Sequence, residues 1–573
     1  MKPMSSNTFK LTFITAAILS STSASAALYQ VVEVTPDLTY NSDYVSGYGV
    51  AIQSATTTGA SDNCFNSSTV SGDGVTCSAY TLGGETRVTE TNAGEAVDGL
   101  SFREEAPFAM DNAFYYIQDS DDFENYCDNQ LLYSTCETWA SLRWNLWNKE
   151  ITGDTTVNSY AFTGSSTSGT LVNSTYNTVI NSIDSSGDPV GIQLTPGDVT
   201  SYRRNTVDAL ADNITTSSYL QSRAWKTDGT YTVGSVSTSA TNTNGTYYSS
   251  KAAMWNASDI VELNWPSGTE VYNNSSIAQG SLRDFVIVDG TIYAVGYNSF
   301  YSNRNYMEAS ISKVAEGSFD TASSWTTVGV TNAKVYTNGG TSGDHIYSNT
   351  RLTSVNSNLI AIGEAKRQGS APSNGAAANR LFVVSDVSAS SPSATFLSDG
   401  IFFDGAGGKA GAINNYNEIV GQIDAESTRE ASGKPRRKRG FIYPYNGTGT
   451  DSDRRAVFNN QGWWLDNLTN GGTYSSNNNQ YRIIDATDIN DAGVISATAL
   501  KCDGGYDTTS YNATCGGGSQ DETTVAIKLV PIVGATSDDI SERGTDDTST
   551  ERSGGSIGLW MLAVLGFLGF RRK

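Results

Sequence analysis

The sequence predicts an all-β fold, most simply a β-propeller of about six or seven blades. Charged residues make up only 17% of the 573-residue chain, and Gly, Ser, Thr and Asn are abundant throughout, which is typical of turn-rich β proteins. Aromatic residues account for 10% of the chain and supply the bulk of a core. Hairpin-like segments recur along the chain, and small repeated sheets that cannot bury both faces alone stack radially.

The net charge limits the classes of partner. The formal charge is −23 at pH 7, although both chain ends carry Lys and Arg, so the body between them is more acidic still. Binding to nucleic acid needs a basic surface, which argues against that partner. An acidic surface favours solubility and contact with cations or basic partners.

Residues 1–26 have the features of a secretory signal peptide. Lys2 and Lys10 give a positive amino-terminal region, residues 11–19 form a short apolar stretch, and small residues precede a cleavage site. We predict that signal peptidase cleaves after Ala26. The alternative is an uncleaved anchor, but the apolar run is shorter than the roughly 20 residues of a spanning helix.

The cysteines agree with export to an oxidising compartment. Short loops close most readily, so the six cysteines are expected to pair with their neighbours in sequence: Cys64 with Cys77, Cys127 with Cys136, and Cys502 with Cys515. The chain contains no C-x-x-C motif and a single histidine, His345. This composition argues against a zinc site, and no metal-ligating residue is predicted.

Hairpin units repeat along the body of the chain. Residues 412–425 (AINNYNEIVGQIDA) align with residues 488–500 (DINDAGVISATAL), and related copies occupy 183–191, 227–234, 288–296 and 355–363. Each has an apolar residue, then Asn, Asp, Ser or Gly, then a β-rich stretch that usually ends in Gly. Because these turn residues accept positive φ angles, each unit is expected to be a hairpin, with its glycine belonging to the turn.

A further strand signal follows several hairpins, in KAAMW, RLFVV, RGFIY and VAIKL (251–255, 380–384, 439–443 and 525–529). The spacing is long enough for sheets of four strands, which favours a propeller over the alternative, a β-solenoid. We expect the body to span residues 27–536. We also expect residues 29–34 to pair with residues 525–532 and close the ring, because unpaired edge strands invite aggregation.

Residues from about 56 to 178 depart from the repeat rhythm and are predicted to be a disulfide-containing, partly helical insertion. Residues 137–151 should form a short amphipathic helix, because apolar residues recur near helical spacing at Trp139, Leu142, Leu146 and Ile151. Trp144 and Trp147 widen its apolar surface. This aromatic cluster either stacks on sugars or packs onto the body, and we favour packing.

Two charged runs stand out. The acidic run 119–130 offers oxygen ligands, but Glu124 stands where an EF-hand loop needs glycine, so we expect an exposed acidic loop. The basic run 434–439 lies between two strand signals and is expected to be an exposed connection.

The chain closes with a polar segment and an apolar tail. Residues 537–553 lack apolar periodicity and are predicted to be a flexible linker. After Gly554 and Gly555, the apolar run 557–570 would form a helix of about 21 Å, a short transmembrane helix that spans marginally. The basic residues that follow would hold the carboxyl terminus on the cytoplasmic side.

This layout resembles the GlyGly-CTERM sorting signal of Gram-negative bacteria, which a rhomboid-type protease, rhombosortase, recognises. The resemblance covers residues 554–573 and implies transient anchoring in the inner membrane, cleavage near Gly554 and Gly555, and type II secretion to the cell surface or medium. Paired glycines suit such a protease because they are poor helix formers. A permanent short anchor is the alternative.

The hairpin units resemble the HAF repeats of extracellular bacterial proteins, best in residues 413–421 and 489–497. Together with the sorting signals, the chain resembles a domain-of-unknown-function family of exported gammaproteobacterial proteins. That resemblance implies no activity.

The sequence contains few features of a catalytic site. His345 lies in what reads as a loop, and a Ser-His-Asp triad would have to recruit it. The segment GAGGKAG (405–411) lacks the ending of a phosphate-binding loop. We therefore predict no catalytic or cofactor-binding residue, and expect a non-catalytic binding module for glycans or an envelope protein. The alternative is a secreted hydrolase or lyase that acts on a polysaccharide with carboxylates in a central funnel.

Overall fold

The structure is a computed structural model that describes part of the chain. The described residues are 27–546, apart from 37–43, 92, 98–118, 157, 198–205, 212–218, 244, 275, 302–304, 339–342, 399 and 431–434. The predicted signal peptide with Ala26, the last part of the predicted linker, and the tail with Gly554 and Gly555 lie outside them. No helix within the described residues is long and apolar enough to cross a membrane.

Strands dominate the described residues, which confirms the all-β prediction. They form seven sheets, numbered I to VII, and a small hairpin of Val271–Tyr272 with Ser276–Ile277. The strand named first in each sheet below is its inner strand.

Sheets I to III come first along the chain. In hydrogen-bonded order, sheet I contains Ser46–Ile52, Leu82–Arg87, Ala161–Gly164, Ser168–Leu171 and Thr35–Pro36. Sheet II contains Thr178–Ile183, Pro189–Thr195 and Thr206–Leu210. Sheet III contains Gln221–Thr227, Thr232–Asn242, Gly245–Trp255 and Ile260–Glu262.

Sheets IV to VII are antiparallel throughout. Sheet IV contains Gly280–Val288, Thr291–Ser299, Met307–Ala315 and Thr326–Gly329. Sheet V contains His345–Val355, Ala361–Arg367, Arg380–Val384 and Ala394–Phe396, with Val335–Tyr336 on the other side of its inner strand. Sheet VI contains Gly408–Ile413, Glu418–Asp424, Lys438–Pro444 and Trp463–Trp464. Sheet VII contains Tyr481–Ile489, Ile495–Lys501, Thr523–Pro531 and Tyr29–Glu33.

Helices lie between strands, and all but Cys136–Ile151 are short. The α-helices are Ser120–Tyr126, Cys136–Ile151, Ser452–Val457, Leu465–Leu468 and Ser475–Asn478, and a π-helix covers Cys127–Leu131. Single 3₁₀ turns are found at Cys77–Ala79, Glu316–Ser318, Ala322–Ser324, Gly516–Gly518 and Ser537–Asp539. The predicted helix at 137–151 is confirmed.

The sheets close into a ring. Each sheet contacts the next, and the inner strand of sheet I contacts sheet VII. Separate apolar clusters fill the interfaces, for example Val295 with Leu352 between sheets IV and V, and Ile52 with Ala526 between sheets I and VII. The amino-terminal strand completes sheet VII, with Tyr29 opposite Pro531, which confirms the predicted closure.

The predicted hairpins and further strands are confirmed. Each repeat unit joins the inner strand of sheets II to VII to the second strand. The four further strand signals form the third strands of sheets III, V, VI and VII. The region 56–178 carries three strands of sheet I besides its two disulfide-closed segments.

The structure joins the cysteines in the three predicted pairs. The disulfide Cys64–Cys77 closes a loop of sheet I, Cys127–Cys136 joins the two helices that precede residue 152, and Cys502–Cys515 closes a loop of sheet VII.

The acidic run is helical rather than the predicted loop, although Asp119, Asp121 and Asp128 are exposed as expected. Asp119 caps the helix Ser120–Tyr126, and its side chain accepts a hydrogen bond from the Asp122 backbone N–H at 3.1 Å. Phe123 and Tyr126 lie one turn apart on the same face and are buried, which anchors the helix.

The basic run alternates between exposed and buried residues, so the predicted exposed connection is only partly right: Pro435 and Arg437 are exposed, whereas Arg436 and Arg439 are buried. The side chain of Arg436 is fully buried, 3.0 Å from Asp424. Lys438 pairs with the same carboxylate, and Arg439 lies 3.3 Å from Asp466. The strand Lys438–Pro444 begins within the run and places Lys438 opposite Asp424, so the register brings these charges together.

The first part of the predicted flexible linker is folded onto sheet VII. Arg543 is buried and donates to the Asp466 carbonyl at 2.9 Å and to the Asn479 side chain at 3.0 Å. Asp546 accepts a hydrogen bond from Ser510 at 2.7 Å, within the loop that Cys502–Cys515 closes. Residues 537–546 therefore belong to the body.

Candidate functional site

A cavity of about 660 Å³ lies at the centre of the ring. The inner strand of every sheet contributes to its wall. Examples, in the order of sheets I to VII, are Tyr48, Asn181, Lys226, Asp284, Arg351, Lys409 and Asp488. A site to which all seven sheets contribute is the natural candidate for a ligand.

Every inner strand carries a β-bulge where it meets the cavity. A bulge places an extra residue in one strand and redirects its side chain. The extra residues that line the cavity are Val50, Asn181, Trp225, Arg283, Thr353, Ala412 and Thr487 in sheets I to VII. The cavity wall is thus built from the irregular position of each sheet.

The glycine that ends the repeat unit marks this bulge. It lies inside the second strand, paired with the inner-strand residue that precedes the bulge, so its predicted place in the turn is wrong. A Cβ atom would lie 2.0 Å from the Ser281 carbonyl oxygen at Gly296, and 1.8 Å from that of Arg223 at Gly234. Corresponding glycines occur at 191, 363 and 421. Close backbone approach excludes a side chain here.

Two helices between the second and third strands of sheet I cover the cavity, Ser120–Tyr126 and Cys136–Ile151. We call these two helices the cap. Phe123, Tyr126, Trp139 and Arg143 of the cap line the cavity. The chain between the helices reaches across the ring, where Gln130 accepts a hydrogen bond from Lys366 of sheet V at 3.0 Å. Tyr133 donates to Glu430, after the second strand of sheet VI, at 3.2 Å. The cap is therefore attached on both sides of the cavity.

The helix tryptophans have different environments. Trp147 is buried in an apolar cluster within the cap, whereas packing onto the body was predicted. Trp139 instead lines the cavity, with the Arg143 guanidinium 3.7 Å from its ring centroid. Trp144 packs against the apolar cluster of the cap.

Two aspartates in the wall bind the backbone of a neighbouring sheet. Asp284 accepts hydrogen bonds from the Ser354 hydroxyl at 2.8 Å and the Val355 N–H at 3.0 Å with one oxygen, and from the Phe285 N–H at 2.8 Å with the other. Asp488 accepts from the Ile52 N–H at 3.0 Å and the Ile489 N–H at 2.9 Å.

Two glutamates in the wall have the same role. Glu85 pairs with Arg87 at 2.7 Å and accepts a hydrogen bond from the Ile180 N–H of sheet II at 3.1 Å. Glu364 pairs with Arg351 at 2.7 Å and accepts from the Ala410 N–H of sheet VI at 3.3 Å. In all four carboxylates both oxygens are engaged.

Lys226 differs from the other lysine of the wall. Lys409 lies 3.2 Å from Asp485, whereas the Lys226 ammonium group makes no hydrogen bond or ion pair with any residue in the described part of the chain. Burial lowers the pKa of Lys226, but the carboxylates of Asp488 and Asp284 outweigh it, so that pKa lies above its usual value. Lys226 is therefore a half-buried ammonium group, charged at neutral pH.

Comparison with known proteins identifies the family of the chain. Residues 231–573 match the sequence model of DUF3466, described as a protein of unknown function. The chain belongs to the DUF3466 family. No curated protein matches it. The resemblance to a domain-of-unknown-function family is thereby confirmed.

The DUF3466 match begins in sheet III, so sheets I and II and the cap precede it. The matched segment holds the glycines at 234, 296, 363 and 421, each opposite a bulge. It also ends beyond residue 546, over the predicted sorting tail.

The sequence also singled out His345 and the segment 405–411 of the DUF3466 chain as possible functional sites. His345 begins a strand, so its predicted loop is wrong, and its ring lies 4.4 Å from that of Tyr336 and 5.1 Å from that of Tyr306. The segment 405–411 runs into the inner strand of sheet VI, Gly408–Ile413. Among the described residues no group of three His, Cys, Asp or Glu could hold a metal ion.

Sequence reasoning missed the residues of the cavity wall. No motif marks Trp225, Lys226, Arg283 or Asp284, because a bulge leaves no periodic pattern of its own. The available signal was the glycine of the repeat, since a glycine inside a strand indicates a bulge or a close backbone approach.

Proposed function

We propose that this chain is an exported, seven-bladed β-propeller whose capped central cavity binds a small polar ligand without chemical change. Seven sheets in a ring, antiparallel apart from the short strand Thr35–Pro36 and closed by an amino-terminal strand, support the propeller. The observation that carries the binding role is that four carboxylates of the wall have both oxygens engaged.

Acid–base catalysis needs a carboxylate that can exchange a proton with the substrate. Asp284, Asp488, Glu85 and Glu364 instead accept hydrogen bonds that join neighbouring sheets. Moving any of them toward a substrate would break these contacts. These four carboxylates therefore shape the cavity, and Asp485 pairs with Lys409, which leaves Glu95 among the carboxylates that line it. Glycoside hydrolysis needs two carboxylates, so binding is better supported than hydrolysis.

The proposed location is outside the inner membrane. Three disulfides suit an oxidising compartment. We propose signal peptide cleavage after Ala26, transient anchoring by the tail, cutting near Gly554 and Gly555 by a rhomboid-type protease, and release through type II secretion. The intact mass of the mature protein tests this: a mass that still includes residues 557–573 would contradict it.

The cavity is tested with the mature protein and a glycan panel, using the thermal shift on ligand addition as the readout. Thr353→Trp places a bulky ring at a bulge of the cavity wall, whereas Thr395→Trp, on the exposed edge strand of the same sheet, is its control. A ligand of the cavity should raise the Tm of the wild type and of Thr395→Trp but not of Thr353→Trp.

The same panel separates binding from catalysis. The wild-type protein should release no new reducing ends or unsaturated sugars from any polysaccharide. Product that disappears in Thr353→Trp and persists in Thr395→Trp would support the enzyme instead.

A further inference from the structure

The bulge of sheet III is followed by a lysine whose ammonium group makes no hydrogen bond within the described residues. The bulge lies between Ala224 and Lys226, and both Trp225 and Lys226 line the cavity. We propose that the Lys226 ammonium group binds a carboxylate of the ligand, and that the ligand is a short acidic saccharide built from uronic acid units. This inference rests on the proposed function of the cavity.

The hydrogen-bonding state of the wall favours an anionic ligand. The acceptors of Asp284 and Asp488 are engaged, whereas the donors of Lys226 find no acceptor in the described residues. The nearby carboxylates keep the ammonium group charged without accepting its hydrogen bonds, and an ionised acceptor on a ligand would form a charge-assisted hydrogen bond with it. The buried indole N–H of Trp225 likewise finds no acceptor among the described residues.

The neighbouring charges favour a carboxylate over a phosphate. Asp284 and Asp488 are the principal carboxylates that act on Lys226. A singly charged carboxylate that approaches Lys226 meets this repulsion once, whereas a phosphate near neutral pH meets up to twice as much. The site therefore suits one negative charge with several further oxygens around it.

The remaining wall suits a sugar ring. Aromatic side chains provide flat apolar surface at Tyr48, Phe123, Tyr126, Trp139 and Trp225, between polar groups that can meet hydroxyls. The Arg283 guanidinium covers one face of Trp225 at 3.5 Å. A cavity of about 660 Å³ lies within the usual size of small-ligand sites. The net charge of −23 disfavours a long polyanion on the outer surface.

The inference is tested by calorimetric titration of the mature protein with trisaccharides of galacturonate, glucuronate and mannuronate. The methyl ester of each trisaccharide is the neutral partner. At least one acid should bind, and its ester should bind at least tenfold more weakly.

Lys226→Met should weaken binding of that acid at least tenfold, and Lys226→Gln provides a second neutral variant if the first does not fold. Lys251→Met is the matched control, because Lys251 lies in the same sheet outside the cavity wall and pairs with Glu262 at 2.8 Å. It should bind within twofold of the wild type.

The outcomes separate the two claims. Equal binding of acid and ester, or unchanged binding in both Lys226 variants, would overturn the acidic ligand while cavity binding stands. If no glycan of the wider panel or trisaccharide binds in a way that Thr353→Trp abolishes, the proposed function fails as well.

Discussion

The hairpins of sheets IV and I differ in their turn and agree at their bulge. In sheet IV, Asp289 and Gly290 make a tight connection with φ angles of 49° and 69°. In sheet I the corresponding connection is residues 53–81, closed by Cys64–Cys77. Both hairpins nevertheless carry a bulge at the cavity, opposite Gly296 in one and Gly84 in the other. The turn is therefore free to vary, whereas the bulge is required by the cavity.

The largest expected effect follows from breaking the bulge in sheet IV. Gly296→Ala places a Cβ atom 2.0 Å from the Ser281 carbonyl oxygen, so the strands must separate. We expect a loss of about 4 kcal/mol or more in the free energy of unfolding, measured by urea denaturation.

Gly317→Ala is the control for that substitution, because its Cβ would meet nothing within 4 Å. Gly84→Ala sharpens the comparison, since its Cβ meets the Phe162 ring rather than backbone. It should cost about 1–3 kcal/mol, as an overpacked side chain does. Equal losses for Gly296→Ala and Gly317→Ala would refute the role of the bulge glycine.

The next largest effect concerns the contact of the long loop of sheet I with sheet VII. Lys528 donates hydrogen bonds to the carbonyls of Ser78 at 2.5 Å, Tyr80 at 2.8 Å and Ser165 at 2.6 Å. Lys528→Met leaves these carbonyls without their donor and should cost about 3 kcal/mol by urea denaturation. Lys251→Met should cost less than about 1 kcal/mol, as a partly exposed pair does. Similar losses would contradict this.

The same lysine predicts a pH dependence. Burial lowers the pKa of Lys528 to about 8, below its usual value. Between this pKa and its usual value the unfolded chain holds the proton more often than the folded protein. Stability should therefore rise from pH 8 to pH 10 in the wild type relative to Lys528→Met. A constant difference between the two proteins over this range would argue against the shift.

A smaller effect is expected from the disulfide of the cap. Replacing Cys127 and Cys136 by Ser should cost roughly 2–3 kcal/mol, as expected for so short a loop. The loss should be confined to the cap, because the disulfide joins two residues within 120–151 and no strand of the ring. Hydrogen exchange should increase in residues 120–151 and stay unchanged in the inner strands. Increased exchange in the inner strands would show that the cap supports the ring.

The smallest effect is that of Tyr133→Phe. It removes the hydrogen bond to Glu430 and should cost about 1 kcal/mol, read as faster hydrogen exchange of the helix Cys136–Ile151. Tyr176→Phe, outside the cap, is the control and should leave that exchange unchanged. Unchanged exchange in Tyr133→Phe would remove this contact from the attachment of the cap.

Local patterns predicted much of this architecture. The hairpins, the third strands and the helix after Cys136 follow from turn residues and periodicity within short segments. The closing strand follows from the need to cover an edge. The cavity wall could not be predicted from local patterns, because each bulge depends on pairing between strands. Arg436 and Arg543 were also missed as buried groups, since Asp424 and Asp466 meet them only through the fold.

The closing strand also sets the order in which the protein can mature. Tyr29–Glu33 is among the first segments to be made, and its partner Thr523–Pro531 is among the last. Contacts so distant along the chain form slowly, and the waiting segments expose unpaired backbone. Six sheets can assemble before the seventh is complete, but none of them can seal the ring. A chain that stops before residue 523 therefore leaves Tyr29–Glu33 and Ile495–Lys501 without the strand that pairs with both of them, and two exposed strand edges favour association with other chains.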